Sequence, residues 1–301
     1  MSHMFDTVTV VGVGLLGGSL GLGLKKRGEA KTIRGVGRRE ESLNKALAGG
    51  SIDEAFTEID AAVDGADLVV LCTPAALVPT FLDSIRPLCR SSCVITDVAS
   101  TKASICRHAA DTWDAPRRFV GSHPMAGSEK FGPEHGDANL YEGAITFIED
   151  ADGLDPEAVE RVTQLWQLLG SETVRITPEV HDTLAARTSH VPHIVAAALA
   201  QLTDTGDDLR AFVGQGFRDT TRIAEGRPEI WRDICLTNSE AIGGSLAEII
   251  DKLQQATEAI NTGDGDRLDR FFQDGLSARR KILDNRPKED TPNTKTGNDS
   301  Q

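Results

Sequence analysis

The chain has 301 residues, 39% hydrophobic and 26% charged, which is enough for two ordinary domains with filled cores. A formal net charge of -14 excludes nonspecific nucleic-acid binding, which draws on clustered lysine and arginine, so an anionic substrate must be held by a local group of donors. No run nears the roughly 18 apolar residues of a membrane span, and residues 1–7 lack the basic-then-apolar pattern of a signal peptide, so the chain is expected in the cytoplasm.

In chain order, residues 7–11 read as a strand and 15–27 as a helix, followed by strands at 32–36, 68–72, 93–97 and 118–121. The run at 68–72 is nearly all apolar, as in a parallel strand covered on both faces. Strands at 144–148 and 173–176 flank a helix at 156–169. This alternation implies βαβ units in a doubly wound, mostly parallel α/β sheet. After Thr177-Pro178 the texture changes. Residues 179–201, 209–224, 229–261 and 267–283 carry helical spacing with almost no β-branched runs. The domains expected are 1–177 (α/β) and 178–284 (all-α), with a disordered polar tail at 285–301. Five cysteines (Cys72, Cys89, Cys93, Cys106, Cys235) form no CxxC pair, which points to reduced thiols and no metal site.

Gly12-x-Gly14-x-x-Gly17 follows the first strand directly and opens a helix. Glycines at those places permit a tight turn, close approach to a pyrophosphate, and close helix–strand packing. With strand, glycines, helix and second strand in order, the segment reads as the dinucleotide site of a Rossmann domain, Leu15 and Leu16 opening the phosphate-binding turn. An acidic residue would ordinarily follow the second strand to bind a ribose 2′-OH; here Gly37-Arg38-Arg39 stands there. Two guanidiniums without a carboxylate favour NADP over NAD, the alternative being a solvated helix start balanced by Glu40 and Glu41. Thr73 and Pro74, after the strand 68–72, and Ser100 complete the expected cofactor-facing set.

The loop continues as Gly14-Leu15-Leu16-Gly17-Gly18-Ser19, which is similar to the start of the prephenate and arogenate dehydrogenases of tyrosine biosynthesis. Further segments resemble that family in the same order. They begin with Asp97-Val98-Ala99-Ser100-Thr101-Lys102 and Ser122-His123-Pro124-Met125-Ala126-Gly127-Ser128-Glu129. Ser189-His190-Val191-Pro192-His193, then Asp219-Thr220-Thr221-Arg222-Ile223-Ala224 and Trp231-Arg232-Asp233, complete the series. The likeness runs over residues 5–283. It implies oxidative decarboxylation of a cyclohexadienol, prephenate or arogenate, with hydride transfer to NAD(P), and a homodimer built through the all-α domain.

The proton released at the ring hydroxyl needs a base, and His123 matches the family's catalytic histidine. Ser100 is expected beside it, or as an N-cap for a helix starting at Lys102. The resemblance carries substrate contacts to His181, His190, His193 and Arg222. Arg222 suits a ring carboxylate because its planar fork can bind bidentately; an ion pair with Asp219 or Asp233 is the plainer alternative. His190 and His193, at i and i+3, also have the spacing of a metal pair, but no further ligand follows. Glu129 and Trp231 match positions that gate the pocket, and Gln215 stands where many relatives carry glycine.

The competing enzyme reading is a β-hydroxyacid or imine dehydrogenase of the same architecture. Such enzymes would use a catalytic lysine in the helical domain, where only Lys252 and Lys281 occur, away from any glycine-rich motif. A non-enzymatic NADPH sensor is a third reading, against which intact His123, Ser100 and Arg222 speak. With no room expected after Leu283 for a regulatory domain, tyrosine inhibition would act at the active site.

Overall fold

The computed structural model describes residues 3–127, 130–206 and 208–283. The first half builds a six-stranded parallel sheet: β1 (Phe5–Val11), β2 (Ala30–Val36), β3 (Glu54–Phe56), β4 (Leu68–Leu71), β5 (Val94–Asp97) and β6 (Phe119–Val120). Its order is β3-β2-β1-β4-β5-β6, with Val8 opposite both Ile33 and Leu68, and Leu68 opposite Val94. The chain thus winds outward in both directions from β1 and β4, leaving a crevice at their carboxyl ends.

Period-two alternation explains why both faces are covered. Val10, Leu68, Val70 and Val94 pack with α1 (Leu15–Arg27), α2 (Glu40–Ala48) and α6 (Pro156–Leu168) in one core. Val11, Val69, Leu71 and Ile95 pack with α3 (Ile59–Val63), α4 (Val78–Ile85) and α5 (Ala103–Thr112) in the other. All four residues of β4 are fully buried, each side chain contributing roughly 1.5–3 kcal/mol relative to exposure.

The expected strands near 144–148 and 173–176 do not extend this sheet. A second, three-stranded sheet contains β7 (Ser122–Pro124), β8 (Ile145–Glu149) and β9 (Glu172–Ile176), in the order β7-β8-β9. β7 runs antiparallel to β8 and β9 parallel to it. The break comes at Gly121, where a Cβ would lie 2.6 Å from Cys106 Sγ, so the missing side chain lets the backbone pass close to α5 as β6 gives way to β7. His123 therefore sits on a buried strand rather than in a loop.

Beyond β9 the described chain is helical: α7 (Pro178–Ala185), a π-turn (Ala186–His190), α8 (Val191–Gln201), α9 (Gln215–Thr221), α10 (Pro228–Thr237), α11 (Ser239–Thr262) and α12 (Gly265–Leu283). The segment read as one helix over 229–261 is broken at Asn238, whose φ and ψ of -123° and 36° leave the helical region. The segment read over 209–224 is only α9 between two 3₁₀ turns. The chain divides into compact units Met1–Ser245 and Leu246–Gln301, so α7 to α10 cluster with the sheets. The expected tail at 285–301 lies outside the described residues. No helix among the described residues is long and apolar enough to cross a membrane.

Candidate active site

At the carboxyl end of β1 the glycine loop has the shape its spacing implies. Gly12 has φ +101°, and a Cβ there would fall 2.4 Å from Cys72 O. A Cβ on Gly17 would fall 2.3 Å from Gly12 O, so helix and strand pack too closely for any side chain. Gly14 meets nothing within 4 Å and opens α1 without a side-chain cap, which leaves room and unclaimed N–H groups for a phosphate. Leu15 and Leu16 form the first turn, with Leu16 O accepting the Tyr141 hydroxyl at 2.8 Å. The half-buried Thr73 has a buried hydroxyl with no partner among the described residues, and Pro74 follows it, exposed. An orphaned hydroxyl, an open Gly14 and a cap-free helix end fit a dinucleotide.

Beside this crevice four elements bring a polar cluster together. His123 on β7 places Nδ1 2.9 Å from Nε2 of His181 on α7. His181 Nδ1 lies 2.8 Å from Asp182 Oδ1. The Asp182 carboxylate also accepts the backbone N–H groups of Lys102 at 2.7 Å and Ala103 at 2.9 Å, capping α5 from a distant part of the sequence. Asn238, at the break between α10 and α11, donates Nδ2 to Asp182 O at 2.8 Å and lies 3.2 Å from His190 Nδ1. His193 stacks on Trp231 of α10, with centroids 3.5 Å apart, and these two rings help line a cavity of about 320 Å³ with Ile194 and Ile223.

Beneath His123 is a buried ion pair. Lys102 and Asp97, 3% and 0% exposed, are joined through Lys102 Nζ and Asp97 Oδ2. Asp97 also accepts the N–H groups of Ser122 and Ala99, both at 3.0 Å, which anchors the residue preceding His123. Burial, then the neighbouring His181, Lys102 and His190, against which a second positive charge would be repelled, push the His123 pKa well below its ordinary value. Burial likewise lowers His190, to about 4, and lowers His193. His123, His190 and His193 are therefore neutral near pH 7, as a general base must be.

Profiles for the prephenate dehydrogenase nucleotide-binding domain and the prephenate dehydrogenase dimerization domain match residues 20–175 and 177–274. The chain belongs to the prephenate dehydrogenase family. It is 34% identical to the prephenate dehydrogenase of Bacillus subtilis, over 93% of this chain and 79% of that one. A prephenate dehydrogenase from A. aeolicus, crystallised with hydroxyphenyl propionate and NAD+, superposes with a TM-score of 0.85 at 30% identity, covering 94% of this chain and 99% of that one. Synechocystis arogenate dehydrogenase superposes at 0.79 and 30% identity, covering 92% and 100%. As a member of the prephenate dehydrogenase family, the chain is an NAD(P)-dependent oxidoreductase with a Rossmann domain and a helical C-terminal domain.

Within this prephenate dehydrogenase framework, not every expected site residue joins the cluster. Ser100 is half-buried and makes no hydrogen bond among the described residues; it caps no helix, because α5 begins at Ala103 and Asp182 takes its first N–H groups. His181, 1% exposed, stands behind His123. Arg222 is exposed and forms no ion pair among the described residues: Asp219 is taken by Gln215 at 2.7 Å, and Asp233 by Arg232 at 2.8 Å. Gln215 is thus an exposed first-turn residue of α9. Arg38 and Arg39 are exposed next to Gly37 and form no ion pair among the described residues, Arg39 acting only as a weak favourable charge on Glu41. Glu129 lies outside the described residues.

Sequence reasoning missed Asp97, Lys102, Asp182 and Asn238 as parts of the site. Asp97 and Lys102 bound a segment already quoted for its resemblance to the prephenate dehydrogenases, which was a usable signal. Asp182 and Asn238 carry no local signature, and only the fold joins them across 56 positions.

Proposed function

We propose that His123 is the general base in an oxidative decarboxylation of prephenate, arogenate or both. The observation that carries this is a buried, neutral imidazole on β7, backed by His181 and Asp182. When bound, the NAD(P)+ nicotinamide supplies the hydride acceptor, and Gly12, Gly14, Gly17, Leu15, Leu16, Thr73, Pro74 and Ser100 are the residues proposed to hold the dinucleotide. As hydride leaves C4 of the ring, His123 takes the proton of the C4 hydroxyl and a carbonyl forms. The C1–carboxylate bond then breaks, its electron pair enters the ring, CO2 departs, and the oxygen recovers a proton from His123 as the phenol forms. His123 ends as it began.

Arg222, His190 and His193 are proposed to receive the substrate carboxylates; the exposed guanidinium of Arg222, without an ion pair among the described residues, supports its part. Trp231 and Glu129 are proposed at the pocket mouth and Gln215 near the substrate side chain. NADP is the proposed preference, because Arg38 and Arg39 form no ion pair among the described residues and Gly37 offers no carboxylate. We also propose a homodimer through the helices. Ile250, Leu253, Ile260, Phe272 and Ile282 are 51% to 69% exposed in the second compact unit, apolar side chains that a second copy would cover. Steady-state assays with prephenate and arogenate, each against NAD and NADP, test the reading: turnover of at least one substrate is expected, and turnover of neither overturns it.

A further inference from the structure

Asp182 reaches His123 and His190 through different atoms, the first by way of His181 and the second by way of Asn238, and those contacts bear on where the protons sit. Its carboxylate is held by two backbone N–H groups at the amino end of α5, a ten-residue helix whose dipole favours negative charge there. A carboxylate only accepts, so the hydrogen between it and His181 belongs to His181 Nδ1. One hydrogen fits between the facing nitrogens, His181 Nε2 and His123 Nδ1, 2.9 Å apart. Held on His123 Nδ1, that hydrogen leaves the His123 lone pair at Nε2.

The main-chain carbonyl of Asp182 sets the second ring. A carbonyl oxygen also only accepts, so the Asn238 atom 2.8 Å from it is the amide nitrogen. That same nitrogen lies 3.2 Å from His190 Nδ1 and has no lone pair to offer. His190 Nδ1 is therefore bare, and the hydrogen of the neutral ring sits on Nε2. The charged and titratable groups facing His190 are Asp182 and His181 from α7 and His193 from α8, with Trp231 of α10 packed edge-on at 6.2 Å.

We propose that Asp182 and Asn238 are positioning residues that give the two histidines opposite tautomers: a bare Nε2 at His123, which accepts a proton, and an Nε2–H at His190, which donates a neutral hydrogen bond to a substrate oxygen. This deepens the reading given under the proposed function and rests on it for the identity of the substrate. Opposite tautomers separate the chemical roles of two otherwise alike side chains. With the assignments exchanged, the base would present a hydrogen and the binding residue a lone pair to an anion.

The test is nitrogen-15 NMR of the full-length, substrate-free protein with ring-labelled histidine near neutral pH, each ring assigned by single histidine substitutions. In the wild type, the two-bond proton–nitrogen pattern is expected to show pyrrole-type Nδ1 at His123 and pyrrole-type Nε2 at His190. Asn238→Asp puts an acceptor against His190 Nδ1, so that nitrogen should become protonated while the His123 pattern stays. A wild-type spectrum with hydrogen on His190 Nδ1 or on His123 Nε2 overturns the proposal, and so does an Asn238→Asp spectrum unchanged at His190. The wild-type result stands whether or not the variant folds. It is read without substrate, so failure of the turnover assays would sink the proposed reaction and leave the tautomer result intact.

Discussion

Replacing Lys102 with methionine keeps most of the side-chain volume and removes the only cation paired with Asp97 among the described residues. The Asp97 carboxylate, 0% exposed, would retain the N–H groups of Ser122 and Ala99 but no counter-charge. Breaking a buried pair by deleting one partner costs about 3–5 kcal/mol, because the remaining charge can neither reach water nor find a substitute. At about 2–4 °C per kcal/mol for a domain of this size, the melting temperature should fall by roughly 6–20 °C. Adding Asp97→Asn in the Lys102→Met background should then cost much less than in the wild type, since the orphaned charge disappears. A catalytic trace follows from the same contact. Lys102 helps hold the His123 pKa down, so its loss raises that pKa and moves the acid limb of the kcat/KM profile to higher pH. Scanning calorimetry and a pH–rate series measure both effects. A Lys102→Met protein melting within about 3 °C of wild type, with the acid limb unmoved, would refute the reasoning.

His123→Asn should preserve folding and dinucleotide affinity while lowering kcat by about 10²–10⁴, as stopped-flow or steady-state turnover will show. Gly37→Asp with Arg38→Ala should move cofactor preference from NADP toward NAD; the nearest atoms to a Cβ at Gly37 belong to Leu43 and Val13, at 3.4–3.5 Å, so the side chain can be accommodated. His190 titrates at about 4 when folded and near 6.5 when unfolded, so its contribution to stability is whole above pH 6.5 and is lost as pH falls toward 4, by about 3 kcal/mol in all. Urea midpoints across that window should therefore fall more steeply for the wild type than for His190→Gln. Sedimentation equilibrium should give twice 32.3 kDa down to nanomolar concentration, and a compact, active monomer would exclude the dimer.

The parallel sheet was legible because its strands are buried on both faces, and β-branched apolar runs such as Leu68–Leu71 leave little else to be. The glycine loop was legible because backbone geometry, which only glycine satisfies, is written directly in residue type. β3 was not, being three residues with two exposed, too short for periodicity to register. β7 was hidden by ending in proline and by a pairing partner, β8, more than twenty residues away. In the site, His123 and His190 stood out through their neighbours in sequence. Asp182 and Asn238 did not, because their roles depend on N–H and C=O groups contributed by other elements. Nothing in the local pattern separates a buried, paired carboxylate from a solvated one.

The π-turn at Ala186–His190 has a consequence for phase. His181 and His190 are nine residues apart, and at about 100° per residue an uninterrupted α-helix would put them half a turn apart, on opposite faces. In the wider π-turn, closed by the Val191 N–H bonding to Ala186 O, each residue advances by only roughly 80°. Five such residues set the helix back by about 100°, so His190 arrives roughly a quarter turn from His181. Asn238 can then reach the carbonyl of Asp182 and the ring of His190 with one nitrogen. A single residue deleted from 186–189 would restore regular winding with His190 eight residues from His181, about 800° or again roughly a quarter turn, so the π-turn accommodates one extra residue while keeping the phase of His190 and His193. The angular offset stored in that one turn is what lets a single stretch of helix present histidines with different duties to the same small volume.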